Sequence, residues 1–181
     1  MFVWAMARSQ EGTLSQVTGT HVRTAFNVLA TLGVCTETLW PYDTTLESTS
    51  PSILAQRQAL AHTIQGAYLI DSVGDQRVQD IITALQANHP IVFGTNVTNA
   101  FEALSGVGPV DVPGASDSIA GGHCMVVVGW DGTNFLIKNS WGTSWGSNGF
   151  CRFTPGYMTW ANTTDLWVPT LGPAVFSLRR K

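Results

Sequence analysis

The sequence predicts an α+β fold, and three observations carry that prediction. Apolar residues recur at helical spacing in several segments, above all Thr20 to Leu32 and Asp75 to Leu85. Short β-branched and aromatic runs stand elsewhere, the clearest pair flanking the turn signal Asp131-Gly132. Glycine and proline punctuate the boundaries between them. At 181 residues the chain is long enough to bury a substantial core in one or two lobes.

Phe2, Val3, Trp4 and Met6 read as a helix already in progress, since no Ser, Thr, Asp or Asn precedes Phe2 to cap it. Leaving Phe or Trp exposed at a bare terminus forgoes ~1.5–3 kcal/mol each. Something else is therefore expected to bury them, or the chain is a fragment from an internal start. Thr20 to Leu32 puts Val22, Ala25, Phe26 and Leu29 on one helical face, and Gly33 supplies a left-handed stop. Trp40-Pro41-Tyr42-Asp43 is a turn, and the Ser/Thr-rich stretch to Ser50 is a loop. Pro51 suits the first turn of a helix running to Gln65. Ala67 to Asp71 reads as a strand, and Asp75 as the cap of a helix with Val78, Ile81, Ile82 and Leu85 inward. Pro90 ends that helix, and Ile91 to Gly94 is a buried strand. Ser105 to Ser118 is a long surface loop, and Phe176 to Lys181 a basic tail. The expected organisation is a helical lobe over 1–65, a β-barrel-like lobe over 66–171, and a tail over 172–181.

The most informative stretch is GGHCMVVVGWDGTNFLIKNSWGTSWGSNG, Gly121 to Gly149. Cys124 to Trp130 and Thr133 to Lys138 form a predicted hairpin. With a three-residue loop, Trp130-Asp131-Gly132, the pairing runs back until His123 faces Asn139. A two-residue loop would put them on opposite faces, because one step of register flips every side chain. The odd loop is therefore the expectation. An Asn amide holding one tautomer is what a histidine general base beside a thiol requires. Each residue alone has an ordinary reading, a packed core histidine and a strand-ending asparagine. The glycine pair before His123 and the repeated Trp-Gly after Asn139 leave that reading without an account of the whole set.

GGHCMVVVGW followed by NSWGTSWGSNGF resembles the histidine and asparagine motifs of the papain-like cysteine peptidases. The resemblance implies a papain-like two-lobe fold, a truncated helical lobe plus an antiparallel β-barrel-like lobe, and a Cys-His-Asn mechanism. It makes His123 the base and later the acid, Asn139 the orienter of its ring, and Trp141 the cover of their hydrogen bond. Thr18 to Asp43 is similar to a bacterial and phage branch of the family, and the similarity runs to Leu171. The departure is at the nucleophile. The family's Q-G-x-C-G-S-C-W-like segment, whose glutamine also serves the oxyanion hole, has no counterpart near Gln10 or Gln16. The chain is expected to start one element too late and to carry no nucleophile.

None of the three cysteines is a good substitute. Cys124, beside His123 on a strand, points to the other face. Cys35 follows a helix-ending turn. Cys151 lies in the apolar strand GFCRF, where burial raises a thiol pKa. A Cys124–Cys151 bridge between neighbouring strands stays open. No C-x-x-C or H-x-x-x-H spacing suggests a metal, and no cofactor is expected. A net charge of −3 without a basic stripe argues against nucleic acid. No apolar run approaches a membrane span, and no secretion signal is recognisable. That leaves compartment open, with a bacterial cytoplasm or a phage particle as candidates. Charged residues are only 12% of the chain, about half the usual share. A covering N-terminal segment or partner chain is expected, as is a peptide or protein ligand. Three functions compete: a thiol endopeptidase whose nucleophile lies elsewhere, a peptide-binding pseudoenzyme, and a structural or assembly subunit.

Overall fold

A computed structural model describes residues 1–16 and 18–170. The described residues divide into two compact units, one comprising Met1–Ala67 with Pro169 and Thr170, the other Tyr68–Val168. The expected tail lies outside the described residues.

The first unit is helical: α1 (Phe2–Gln10), α2 (Val22–Thr31) and α3 (Ile53–Ala59). Helix α1 starts at once, with no side-chain cap. Its opening aromatics find cover within the chain itself. Phe2 is 3% exposed in a cluster with Trp40, Ala55 and Ala59, and Trp4 lies under the Arg8 guanidinium, 4.0 Å from ring centre to Cζ. What covers them is thus other residues of the same chain. Helix α2 buries Phe26 and also Val28, which the expected face omitted. Gly33 ends it at φ +76°, where a Cβ would stand 2.0 Å from the Ala59 carbonyl oxygen. That close approach also explains why α3, capped by Ser52, stops at Ala59 rather than Gln65. The Ala59 carbonyl accepts from the His62 N–H, the His62 carbonyl accepts from Val34, and Ile64 donates to Leu29, so the backbone turns to meet the end of α2.

The second unit contains most of a six-stranded sheet. Its strands are β1 (Gly66–Ile70), β2 (Ile91–Thr98), β3 (Ile119–Trp130), β4 (Phe135–Lys138), β5 (Phe150–Phe153) and β6 (Thr163–Thr170), in the order β1-β6-β2-β3-β4-β5. Residues alternate between faces, and one face buries Ile91, Phe93, Met125, Val127, Phe135, Ile137, Cys151 and Phe153. Helix α4 (Gly74–Gln86) adds Ile81 and Ala84 to that core, with Val78, Ile82 and Leu85 packed against it. Its N-cap is Val73, without a side-chain bond, and Asp75 lies inside the first turn, which corrects the expected cap. Two short helices had not been expected, α5 (Asn99–Glu102) capped by Thr98 and α6 (Pro155–Thr159) capped by Thr154. Strand β2 runs on to Thr98, four residues past the expected end. The segment after α5 holds no helix or named strand, yet it is tied to edge strand β5. Arg152 donates to the Val107 carbonyl at 2.7 Å, and Val110 donates to Arg152 at 2.8 Å, which satisfies backbone groups an open edge would leave unpaired.

Register in the β3–β4 hairpin decides where the candidate site forms. Trp130 pairs with Phe135, so the loop is Asp131 to Asn134 rather than the three residues expected. Asp131 organises it, its carboxylate accepting from the N–H groups of Thr133 and Asn134. Unbroken pairing from there would set Asn139 opposite Val126, on the wrong face. A register shift between Val127 and Gly129 removes one step, giving Val126↔Lys138. Asn139 thus follows Phe135 and Ile137 onto the core side, as does His123 with Met125 and Val127.

Candidate active site

His123 and Asn139 meet. His123 Nε2 lies 2.8 Å from Asn139 Oδ1. They are diagonal neighbours across the ladder rather than directly opposed, because Lys138 is the last paired residue of β4 and faces Val126; diagonal same-face positions remain within reach of long side chains. The Asn139 backbone is fixed by its N–H to the Gly149 carbonyl at 2.9 Å.

The hydrogen-bond pattern assigns the tautomer. Asn139 Oδ1 also accepts from the Ser140 backbone N–H at 2.7 Å, so that atom must be the carbonyl oxygen. The partner nitrogen His123 Nε2 is therefore the donor. In the neutral ring this leaves Nδ1 with its lone pair free, the form of a proton acceptor. Asn139 is 8% exposed, and its buried Nδ2 has no hydrogen-bond partner among the described residues. Such an orphan costs about 1–3 kcal/mol, and orphans of this kind concentrate at sites where side-chain placement matters more than stability.

Trp141 stacks on the His123 ring, with centroids 4.4 Å apart and planes 25° from parallel. Behind it stand two aromatics that the sequence reading did not single out. Phe101 lies 5.7 Å from Trp141 and 5.0 Å from Trp145, and Trp145 meets Trp141 edge-on at 5.5 Å. Trp145 Nε1 donates to the Phe101 carbonyl at 3.2 Å, anchoring the cluster to α5. The signal for Trp145 was present in the doubled Trp-Gly; Phe101 carried none, because its place depends on a four-residue helix. Gly146, at φ +57°, lets the backbone turn beneath this cluster.

The three thiols are free. Cys124 lies on the face of β3 opposite His123, and desolvation of its thiol by the surrounding protein, with Asp165 second, pushes it up to about 11. Cys151 is fully buried on β5, and burial pushes it up to about 12. Neither hydrogen-bonds to His123. A bridge between them is excluded, because β4 lies between their strands and they occupy opposite faces. Cys35, in the first unit, is half-buried just past the Gly33 turn, and burial raises it as well. Gln10 ends α1 and accepts from the Asn27 amide there. Among the described residues, no group of three or more His, Cys, Asp or Glu side chains is placed to hold a metal ion, and no helix is long and apolar enough to cross a membrane.

Comparisons with known proteins agree with this geometry. The chain is 30% identical over 177 residues to an uncharacterised peptidase C1-like protein of Acanthamoeba polyphaga mimivirus, covering 93% of this chain and 57% of that protein. Over 34 residues it is 50% identical to papain of Carica papaya, a stretch covering 19% of this chain and 10% of papain. Among solved structures it is similar to xylellain, a cysteine protease from Xylella fastidiosa, with a TM-score of 0.85 and 27% identity over 95% of this chain and 69% of that one. The chain thus spans little more than half the length of the mimivirus relative. The pattern of the papain family cysteine proteases matches residues 9–166. With that match across most of its length, on a fold that brings His123 and Asn139 into contact, the chain belongs to the papain family of cysteine proteases.

Proposed function

We propose that this chain is the base-bearing part of a cysteine-type endopeptidase of the bacterial and phage branch. In this reading the nucleophilic thiol comes from a segment outside these 181 residues, and the chain alone does not cleave peptides. The observation that carries the reading is the His123–Asn139 contact at 2.8 Å, donor at Nε2 and lone pair at Nδ1, and the surroundings of each of the three thiols raise rather than lower its pKa.

The chemistry follows from the free nitrogen. Nδ1 takes the proton of the incoming thiol, and the thiolate sulfur attacks the carbonyl carbon of a peptide bond. The C–N bond breaks as Nδ1–H passes its proton to the leaving amine. Water, losing a proton to Nδ1, then attacks the thioester carbon, and the sulfur leaves and is reprotonated. Asn139 keeps the ring in one plane while its charge changes, and Trp141 shields the Nε2–H bond from water. The partners in this reading are a peptide or protein substrate and the segment that supplies the thiol. Nucleic acid and membrane play no part.

A fluorogenic peptide assay tests the proposal. The chain alone should show no hydrolysis that a thiol alkylator blocks. Joined to an in-frame Gly-rich cysteine segment encoded upstream, it should gain such activity and lose it by about 10³-fold or more in His123→Ala. Alkylator-sensitive turnover by the chain alone, abolished in Cys35→Ser, would contradict it. Peptide binding without turnover in the joined protein would favour a non-catalytic binder, and obligate association in light scattering an assembly subunit.

A further inference from the structure

A buried polar network lies on the side of His123 away from Asn139. In the β2–β3 ladder Thr95 pairs directly with His123, while Asn139 reaches the ring from beyond β4 on the other side of β3. Both side chains are on the core face, and directly paired residues have Cβ atoms about 5 Å apart. Thr95 is 4% exposed and Thr163 fully buried. Their hydroxyls are 2.9 Å apart, and Thr163 donates its hydrogen to the Tyr157 carbonyl at 2.8 Å. With the Thr163 hydrogen engaged there, the Thr95 hydroxyl is left to donate to Thr163 Oγ1 or to the Asn96 carbonyl, 3.3 Å away, and both contacts restrict its rotamer.

The network continues to the elements around it. Tyr157 donates its phenol to the Asn96 carbonyl at 2.8 Å, next to Thr95 on β2. Arg77, on α4, donates Nη1 to the Thr163 carbonyl at 2.9 Å and Nε to the Ser72 carbonyl at 2.7 Å. Four elements, α4, α6, β2 and β6, are therefore tied together at the strand position facing the imidazole. A core of this size can be filled with apolar side chains, and burying hydroxyls instead is tolerated only when each is satisfied, as these are. The gain is a side chain with one allowed position.

We infer that Thr95 is a positioning residue for His123: held by Thr163, it forms a fixed wall opposite Asn139, so that the ring keeps the plane in which Nε2 meets the Asn139 carbonyl. This rests on the role proposed above for the His123–Asn139 pair. Replacing the hydroxyl by a methyl, as in Thr95→Val, would put carbon 2.9 Å from Thr163 Oγ1, closer than contact distance. The side chain must then rotate or shift, and His123 is its directly paired neighbour on β3.

The test uses the ¹⁵N-labelled chain and reads the His123 ring by NMR, which needs no activity. In the native chain the ring should be the Nε2–H tautomer with slow exchange of that proton. Thr95→Val should speed the exchange about tenfold or more, and Thr95→Ser, which restores the hydroxyl, should return it to within about threefold. Should Thr95→Val lose its far-UV circular dichroism, Thr163→Val removes the same bond from the other end and is read in the same way. Unchanged exchange in a folded Thr95→Val overturns the inference, as does a Thr95→Ser that behaves like Val. A native ring in the Nδ1–H form would instead overturn the His123–Asn139 reading beneath it, so the two failures are distinguishable.

Discussion

Val126 pairs with Lys138 and not with Asn139, and this one step of register decides whether the candidate site exists. The four-residue loop at Asp131 and the bulge between Val127 and Gly129 each shift the pairing. Together they leave His123 and Asn139 on the same face, where the imidazole and the amide come within 2.8 Å. The aromatic cover that follows Asn139 then finds the ring already in place.

Trp141 is expected to contribute both packing and shielding. Trp141→Ala should cost about 2 kcal/mol, less than the 3–5 typical of a fully buried tryptophan, because this one is half-buried. It should also accelerate exchange of the His123 Nε2 proton, whereas Trp141→Phe, which can still stack, should retain most of the protection. Urea unfolding and proton exchange measured on the same samples separate the two effects.

The turn beneath that cluster requires glycine at Gly146. Gly146 sits at φ +57°, and a Cβ there would stand 2.5 Å from the Phe150 carbonyl oxygen. Gly146→Ala should destabilise the chain by about 2–3 kcal/mol, from left-handed strain plus that backbone clash. Gly132→Ala is the comparison: its φ is also positive, but the same atom would meet nothing within 4 Å. Its cost should be visibly smaller in the urea midpoint.

The sequence made the pair legible but not the route by which it forms. Parity of the His123–Asn139 contact could be argued from spacing, because faces alternate strictly along strands. The loop length could not, because the carboxylate of Asp131 sets the turn and a bulge between Val127 and Gly129 compensates for it. Helix α2 was readable from its periodicity and from Gly33. The end of α3 was not, since it is imposed by the approach of Gly33 to the Ala59 carbonyl, a contact between distant segments. Thr95 and Phe101 gave no local signal, for a threonine in a β-branched run and a phenylalanine in a short helix both look like ordinary core. Phe2 and Trp4 gave a need for cover without naming its source. They read as surface in search of cover, and Trp40 and Arg8 provide it.

Arg8 makes the first unit sensitive to a substitution that conserves charge. Its side chain is 0% exposed and has no ion-pair partner among the described residues; it donates to the carbonyls of Glu47, Thr13 and Leu14 at 2.7, 3.2 and 2.9 Å. A lysine ammonium cannot reproduce that planar fork. Arg8→Lys should cost about 2 kcal/mol and Arg8→Ala about 3 kcal/mol or more, through carbonyls left buried without donors. Equal stability of the native and Arg8→Lys chains in urea would contradict this.

Glu11 should give the first unit an acid-side stability limit. Burial alone would raise its carboxyl, but hydrogen bonds from Thr24, from the His21 backbone and ring, and from Thr20 outweigh it and hold the pKa at about 2. A carboxyl lowered in the folded state stabilises it fully above its unfolded value. That contribution is lost as pH falls from about 4.3 through the folded value. The thermal midpoint of the native chain should therefore drop more steeply than that of Glu11→Gln between pH 5 and about 2. Parallel curves would contradict the assignment.

The most direct measurement is the ring tautomer of His123 in the native chain, read from the ¹⁵N shifts of both ring nitrogens at neutral pH and compared with Asn139→Ala. A base held ready for an incoming thiol should show Nε2 protonated and Nδ1 bare, with that preference weakened once the amide is removed. A ring protonated at Nδ1, or a tautomer indifferent to Asn139, would contradict the account.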